Sequence, residues 1–166
     1  MARLNIPPAT IIEGEQPDLR RFVWAALPDN LQEVMDPHKP IYKLHSRIRV
    51  EWNGYHITVL PGAFTDLSSV PLWARIFGSH RFTKQARWDC PSVIHDLLCW
   101  GVDQFVEDAR ENIKMADQCY YAVGVENGVD RWRAKVRYYA LRLVGCFKYK
   151  KVIDHAPVLV IERLEK

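Results

Sequence analysis

Four side chains in this sequence could do chemistry together: Asp66, His95, Asp96 and Asp117. Asp66 lies in Phe64-Thr65-Asp66-Leu67-Ser68-Ser69-Val70-Pro71, His95 and Asp96 in Val93-Ile94-His95-Asp96-Leu97-Leu98, and Asp117 follows Ala116. Carboxylates combined with an imidazole bind a hard or borderline divalent metal, or share a proton. An apolar frame surrounds each, and a buried carboxylate is costly without a partner, so these groups are expected to lie together. All four are candidate catalytic residues. Asp66, His95 and Asp117 are the candidate metal ligands, and the imidazole favours zinc or manganese over calcium. Neighbouring helix positions point about 100° apart, so His95 and Asp96 reach one centre only at the side of their helix. Otherwise one faces the centre and the other makes a structural bond, or both simply knit the helix to the Asp66 turn.

Two rival sets are weaker. Cys90, His95 and Cys99 could form a zinc site, since Cys99 follows His95 by one helical turn. Ser68 and Ser69 stand close to Asp66, but no Gly-x-Ser-x-Gly elbow presents either oxygen, and Val70-Pro71 follows at once. A Thr-Asp-x-Ser-Ser run before proline reads as a hydrogen-bonded turn. The four cysteines (Cys90, Cys99, Cys119, Cys146) show no Cys-x-x-Cys spacing and read as free buried thiols.

The elements that must position these residues follow from periodicity. Residues 1–40 hold six of the ten prolines, which disfavours long regular elements and predicts an extended arm with a helical turn near Leu19–Ala26. Its apolar groups Phe22, Val23, Trp24 and Leu27 need cover from the body or from another chain. From Ile41 the chain alternates through Ile48-Arg49-Val50-Glu51-Trp52, turns at Asn53-Gly54 and returns through Tyr55 to Leu60, a hairpin. Asp89 is placed to cap a helix with Pro91 in its first turn, and Asp103 a longer one with Val106, Ala109, Ile113, Ala116, Tyr120 and Val123 on one face. Asp117 adjoins that face. Asn127-Gly128 stops the helix. Asp130 caps a third, whose Trp132, Val136, Tyr139, Leu143 and Phe147 are expected to pack against the second helix. Val158 to Ile161 reads as a strand. The fold class is therefore α+β: an N-terminal extended arm, then a small antiparallel hairpin or sheet packed on a three-helix C-terminal half. The domain reading is an arm over 1–40, one domain over 41–151 and a C-terminal extension over 152–166.

Composition narrows the function classes. The net charge of +3 is too mild to imply nucleic acid by itself. Residues 131–151 nonetheless carry eight bases and no acid, so this helix could meet an acidic partner surface or nucleic acid. Its aromatics are expected on the buried stripe, which argues against a single-strand stacking platform. No apolar run is long enough for a membrane span, and the start does not read as a signal-peptide core.

The order of the three motifs resembles a family known mainly from tailed bacteriophages and prophages and still of unknown function. Its pattern runs from a Phe-Thr-Asp-Leu-Ala-Ser-Val-Pro-like segment, through a helical His-Asp-Leu-Tyr-like one, to Ala-Asp on the next helix. The likeness covers Ile41 to Lys151. Leu72, Cys99 and Ile113 depart from it, standing where Arg, Tyr and Arg are common, while Asp66, His95, Asp96 and Asp117 are kept. The resemblance implies a virion protein of the tail or baseplate, partnered by other phage structural proteins, made in the bacterial host cytoplasm and carried into the virion. The alternative is a small metal-dependent hydrolase acting on peptidoglycan or nucleic acid, in which the carboxylate–imidazole site activates water.

Overall fold

Asn53 and Gly54 take φ of 51° and 78°, the left-handed pair that a two-residue hairpin turn requires. They join β4 (Ile48–Trp52) to β5 (Tyr55–Val59), paired from Trp52↔Tyr55 to Ile48↔Val59. Ile48, Val50, Trp52, Ile57 and Val59 are all buried, the alternate-residue pattern of a sheet with one covered face. The computed structural model describes residues 4–33, 35–67, 86–100, 105–148 and 158–165, with backbone alone for 86 and 145–148. The expected roles of Ser68, Ser69 and Asp103 and the side chains of Cys146 and Phe147 fall outside the described set.

The hairpin is the middle of a four-stranded antiparallel sheet. β1 (Ala9–Glu13) pairs with β4, and β7 (Leu159–Arg163) pairs with β5, giving the order β1-β4-β5-β7. A second antiparallel sheet has β3 (Ile41–Leu44) between β2 (Leu19–Phe22) and β6 (Phe64–Thr65). Both ends expected to be separate from the body are thus built into it. The described N-terminal residues are extended as expected, but β1 and β2 bond to β4 and β3. Their prolines lie between strands, where no ladder amide is needed, and Trp52 Nε1 donates to the Pro7 carbonyl at 3.1 Å. The helical turn expected over Leu19–Ala26 shrinks to a 3-10 turn at Trp24–Ala26, since 19–22 is drawn into register with 41–44. A four-residue helix α1 (Asp29–Gln32) follows. Gly14, at φ +88°, is required where β1 crosses the start of β4: a Cβ there would lie 2.7 Å from the Arg47 carbonyl oxygen.

Three longer helices complete the α+β fold: α2 (Ala86–Trp100), α3 (Ala109–Glu126) and α4 (Arg131–Lys148). α2 is buried along almost its whole length, packed on the sheets and on α3. It starts before the expected cap at Asp89, so Pro91 lies inside it. A proline cannot bond the carbonyl four residues back, and the Arg87 carbonyl instead accepts from Asn127 Nδ2 at 2.9 Å. α3 starts at 109 and not after Asp103, capped by Asp108, which accepts from the Glu111 amide at 2.7 Å. Phe105 is held outside the helix because its amide donates to Asn112 Oδ1, whose Nδ2 in turn caps the Leu98 carbonyl of α2. Asn127 and Gly128 end α3 as expected, with Gly128 at φ +83°.

α4 follows Asp130 as expected but presents the other face. Ala134, Arg137, Tyr138 and Leu141 are buried, whereas Trp132, Tyr139 and Leu143 are 56%, 46% and 66% exposed. These two sets lie on opposite sides of a helix. Ile113, Ala116, Tyr120 and Val123 of α3 are buried as expected, so the antiparallel pair forms with α4 turned about half a revolution from the expected packing.

Candidate functional site

The four candidate residues are all buried: His95, Asp96 and Asp117 at 0% exposure and Asp66 at 8%. His95 bonds to Asp117 while Asp66 lies beside Asp96, because consecutive helix residues point about 100° apart. His95 faces the helices. Its Nε2 lies 2.7 Å from Asp117 Oδ1, and Asp117 Oδ2 accepts from Arg142 of α4 at 3.0 Å. Asp117 therefore links three helices through one carboxylate, and both its oxygens are engaged.

Asp96 faces the second sheet. Thr65 Oγ1 donates to Asp96 Oδ2 at 2.5 Å and accepts from the Leu67 amide at 3.1 Å. The second of these hydrogen bonds closes the Thr-Asp-Leu turn, where Leu67 takes the left-handed region at φ 53°, a conformation that a branched side chain adopts only under local constraint. Burial, and then the neighbouring Asp66 carboxylate, push the Asp96 carboxyl well above its ordinary range. A proton on Asp96 relieves both. Asp66 sits at the rim, 3.9 Å from Lys39 Nζ.

Among the described residues no group of three or more His, Cys, Asp or Glu side chains could hold a metal ion. The expected Asp66–His95–Asp117 ligand set is thus not assembled there. The reason is geometric: His95 and Asp96 point apart, so Asp66 joins Asp96 and not His95. The cysteine set fares no better. Cys99 Sγ lies 3.7 Å from His95 Nε2, the nitrogen already facing Asp117, and burial followed by Asp117 and Asp96 holds its thiol well above the usual range. Burial also raises the Cys90 thiol, to about 12. Cys90, Cys99 and Cys119 are free and buried, so they pack as small apolar groups.

A third buried polar group adjoins these. Arg137 Nη1 donates to the Tyr120 hydroxyl at 3.2 Å, and its guanidinium lies 3.7 Å above the Trp88 ring. Burial raises the Tyr120 hydroxyl even though Arg137 opposes the shift. Thr65, Lys39, Arg137 and Arg142 escaped the sequence reading. Thr65 was within reach, since it stands in the first motif. The two arginines were not, because basic residues on an amphipathic helix read as a solvated face. What the arrangement does chemically is clear for one function: it fixes α2 against α3, α4 and β6 through buried hydrogen bonds.

The fold is an α+β body whose central helix is pinned by polar groups on two sides. Residues 42–141 match the family described as "Protein of unknown function (DUF1353)", and the chain belongs to that family. No curated protein and no solved structure matches it.

Proposed function

We propose that this chain is an assembly protein of a phage particle, associated with the tail or baseplate, and that it docks through the outer face of α4. The observation that carries the reading is the exposed stripe of Trp132, Tyr139 and Leu143, with half-buried Val136 between them. Large apolar groups in one exposed row mark an interaction surface. The buried polar clusters fit the same reading, since they hold the helices that present the stripe. The test is composition of purified particles of the phage that encodes the chain. The native protein should co-purify with them, and Leu143→Asp should be lost from them. Absence of the native chain from particles refutes the reading.

One observation favours the hydrolase alternative: a carboxylate 2.7 Å from an imidazole is how a general base is oriented. Equilibrium dialysis against zinc and manganese tests it. Stoichiometric binding that His95→Ala and Asp117→Asn both abolish would favour it, and the absence of binding removes the metal-dependent version.

A further inference from the structure

Resting on that docking face, we infer that its partner is a different protein presenting an apolar ridge edged with carboxylates. The stripe Trp132, Val136, Tyr139 and Leu143 recurs at spacings of four and three, so it runs straight along about 16 Å of helix. That is the length and pattern of a helix–helix seam. Arg131, Lys135 and Arg142 follow along one flank of it, again at helical spacing. Arg142 is committed to Asp117, which leaves Arg131 and Lys135 beside the stripe with no acidic partner among the described residues. α4 itself contains no acid.

That charge chooses between occupants. A second copy laid face to face, parallel or antiparallel, would set Arg131 and Lys135 against a helix that carries bases and no acid to answer them. Nucleic acid needs several phosphate contacts. Among the described side chains of α4 only Arg131 and Lys135 are left for phosphate, since Arg133 is paired with Asp130, Arg142 with Asp117, and Arg137 is buried against Trp88. Trp132 and Tyr139 do expose rings, but Val136 and Leu143 interrupt them, so the stripe offers no continuous run of stacking surfaces. A carboxylate-edged apolar ridge satisfies both the stripe and its flank.

Synthetic amphipathic helices supply the test: one with a leucine face and glutamate elsewhere, one with the same face and glutamine elsewhere. The native protein should sediment as a monomer and bind the glutamate peptide about tenfold more tightly than the glutamine peptide, the preference shrinking as salt is raised. Trp132→Ala should weaken both complexes about tenfold. The pair Arg131→Gln and Lys135→Gln should erase the preference alone. Trp132 and Arg131 are exposed and Lys135 is half-buried on the flank, so an unchanged thermal melt will show that the variants fold. Equal binding of the two peptides overturns the charge inference and leaves the docking face standing. Saturable binding of neither, self-association abolished by Leu143→Asp, or tighter binding to oligo-dT or phosphatidylglycerol vesicles overturns the partner class. Retention of Leu143→Asp in particles instead strikes the docking reading beneath it.

Discussion

Asp117→Ala is the sharpest single test of the buried cluster. The carboxylate is almost wholly buried and takes one bond from His95 at 2.7 Å and one from Arg142 at 3.0 Å. Removing it strands an imidazole at 0% exposure and leaves the inner end of Arg142 facing a void. Breaking a buried charge-assisted pair costs about 3–5 kcal/mol, because the surviving partner stays desolvated. With an unfolding entropy near 0.35 kcal/mol/K for 166 residues, that is a fall in Tm of about 9–14 °C. Arg142→Met should cost less, about 1–3 kcal/mol, since Asp117 Oδ2 loses its donor while Oδ1 keeps the His95 bond. The two changes share one contact, so the double variant should be milder than their sum. Calorimetry of the four proteins measures all of this. A fall of less than about 3 °C for Asp117→Ala, or strict additivity with Arg142→Met, would refute the claim that this carboxylate clamps the helices.

Three further outcomes follow from the geometry. The Asp96 carboxyl has a raised folded pKa, so its contribution is intact below the ordinary value of 3.8 and is lost as pH climbs through the folded value. Asp96→Asn mimics the protonated form, and melts taken from about pH 4 to 8 should show it gaining on the native protein; a constant gap would mean that Asp96 is not protonated in the fold. Ile113→Asp places a charge at a 9% exposed site facing the core and should cost several kcal/mol by chemical denaturation, about 3 or more; an unchanged midpoint would show the α3 face to be misplaced. Limited thermolysis of a dilute monomer should spare β1 and β7, because both are bonded into the sheet. Early cleavage within either would restore the idea of ends that order only on a neighbour.

What could be read from the sequence depended on whether a pattern had one solution. Asn53-Gly54 between β-formers admits one turn, and the hairpin is there. The α3 stripe has a single apolar face, so Ile113 and Tyr120 point inward as expected and Asp117 beside them is buried. α4 has two faces able to turn in. Hydrophobic periodicity chose Trp132, Tyr139 and Leu143, but Arg137 stacks on Trp88 and Arg142 reaches Asp117, and these contacts bring Ala134, Tyr138 and Leu141 to the core. No local signal reveals that two arginines face inward. The N-terminal strands were hidden for a related reason: β2 pairs with β3 across an intervening stretch rich in prolines, and such partners meet only in three dimensions. All four candidate residues are buried, with His95 bonded to Asp117 and Asp96 to Thr65. Their division into two clusters followed from the direction of one helix that spacing alone did not orient.

The place of β7 at the rim of the first sheet bears on how the protein is born. Ribosomes release a chain from its amino end, yet Leu159 fills its place in the core beside Val59, a strand made long before. Until residues 159–163 are synthesised, β5 presents a bare row of amides and carbonyls able to pair with any passing strand. A stalled or prematurely terminated product therefore carries an adhesive edge, the kind of surface that quality-control systems and aggregates both recognise. Closure of this sheet therefore waits on residues 159–163, and a product cut short before them cannot cover β5.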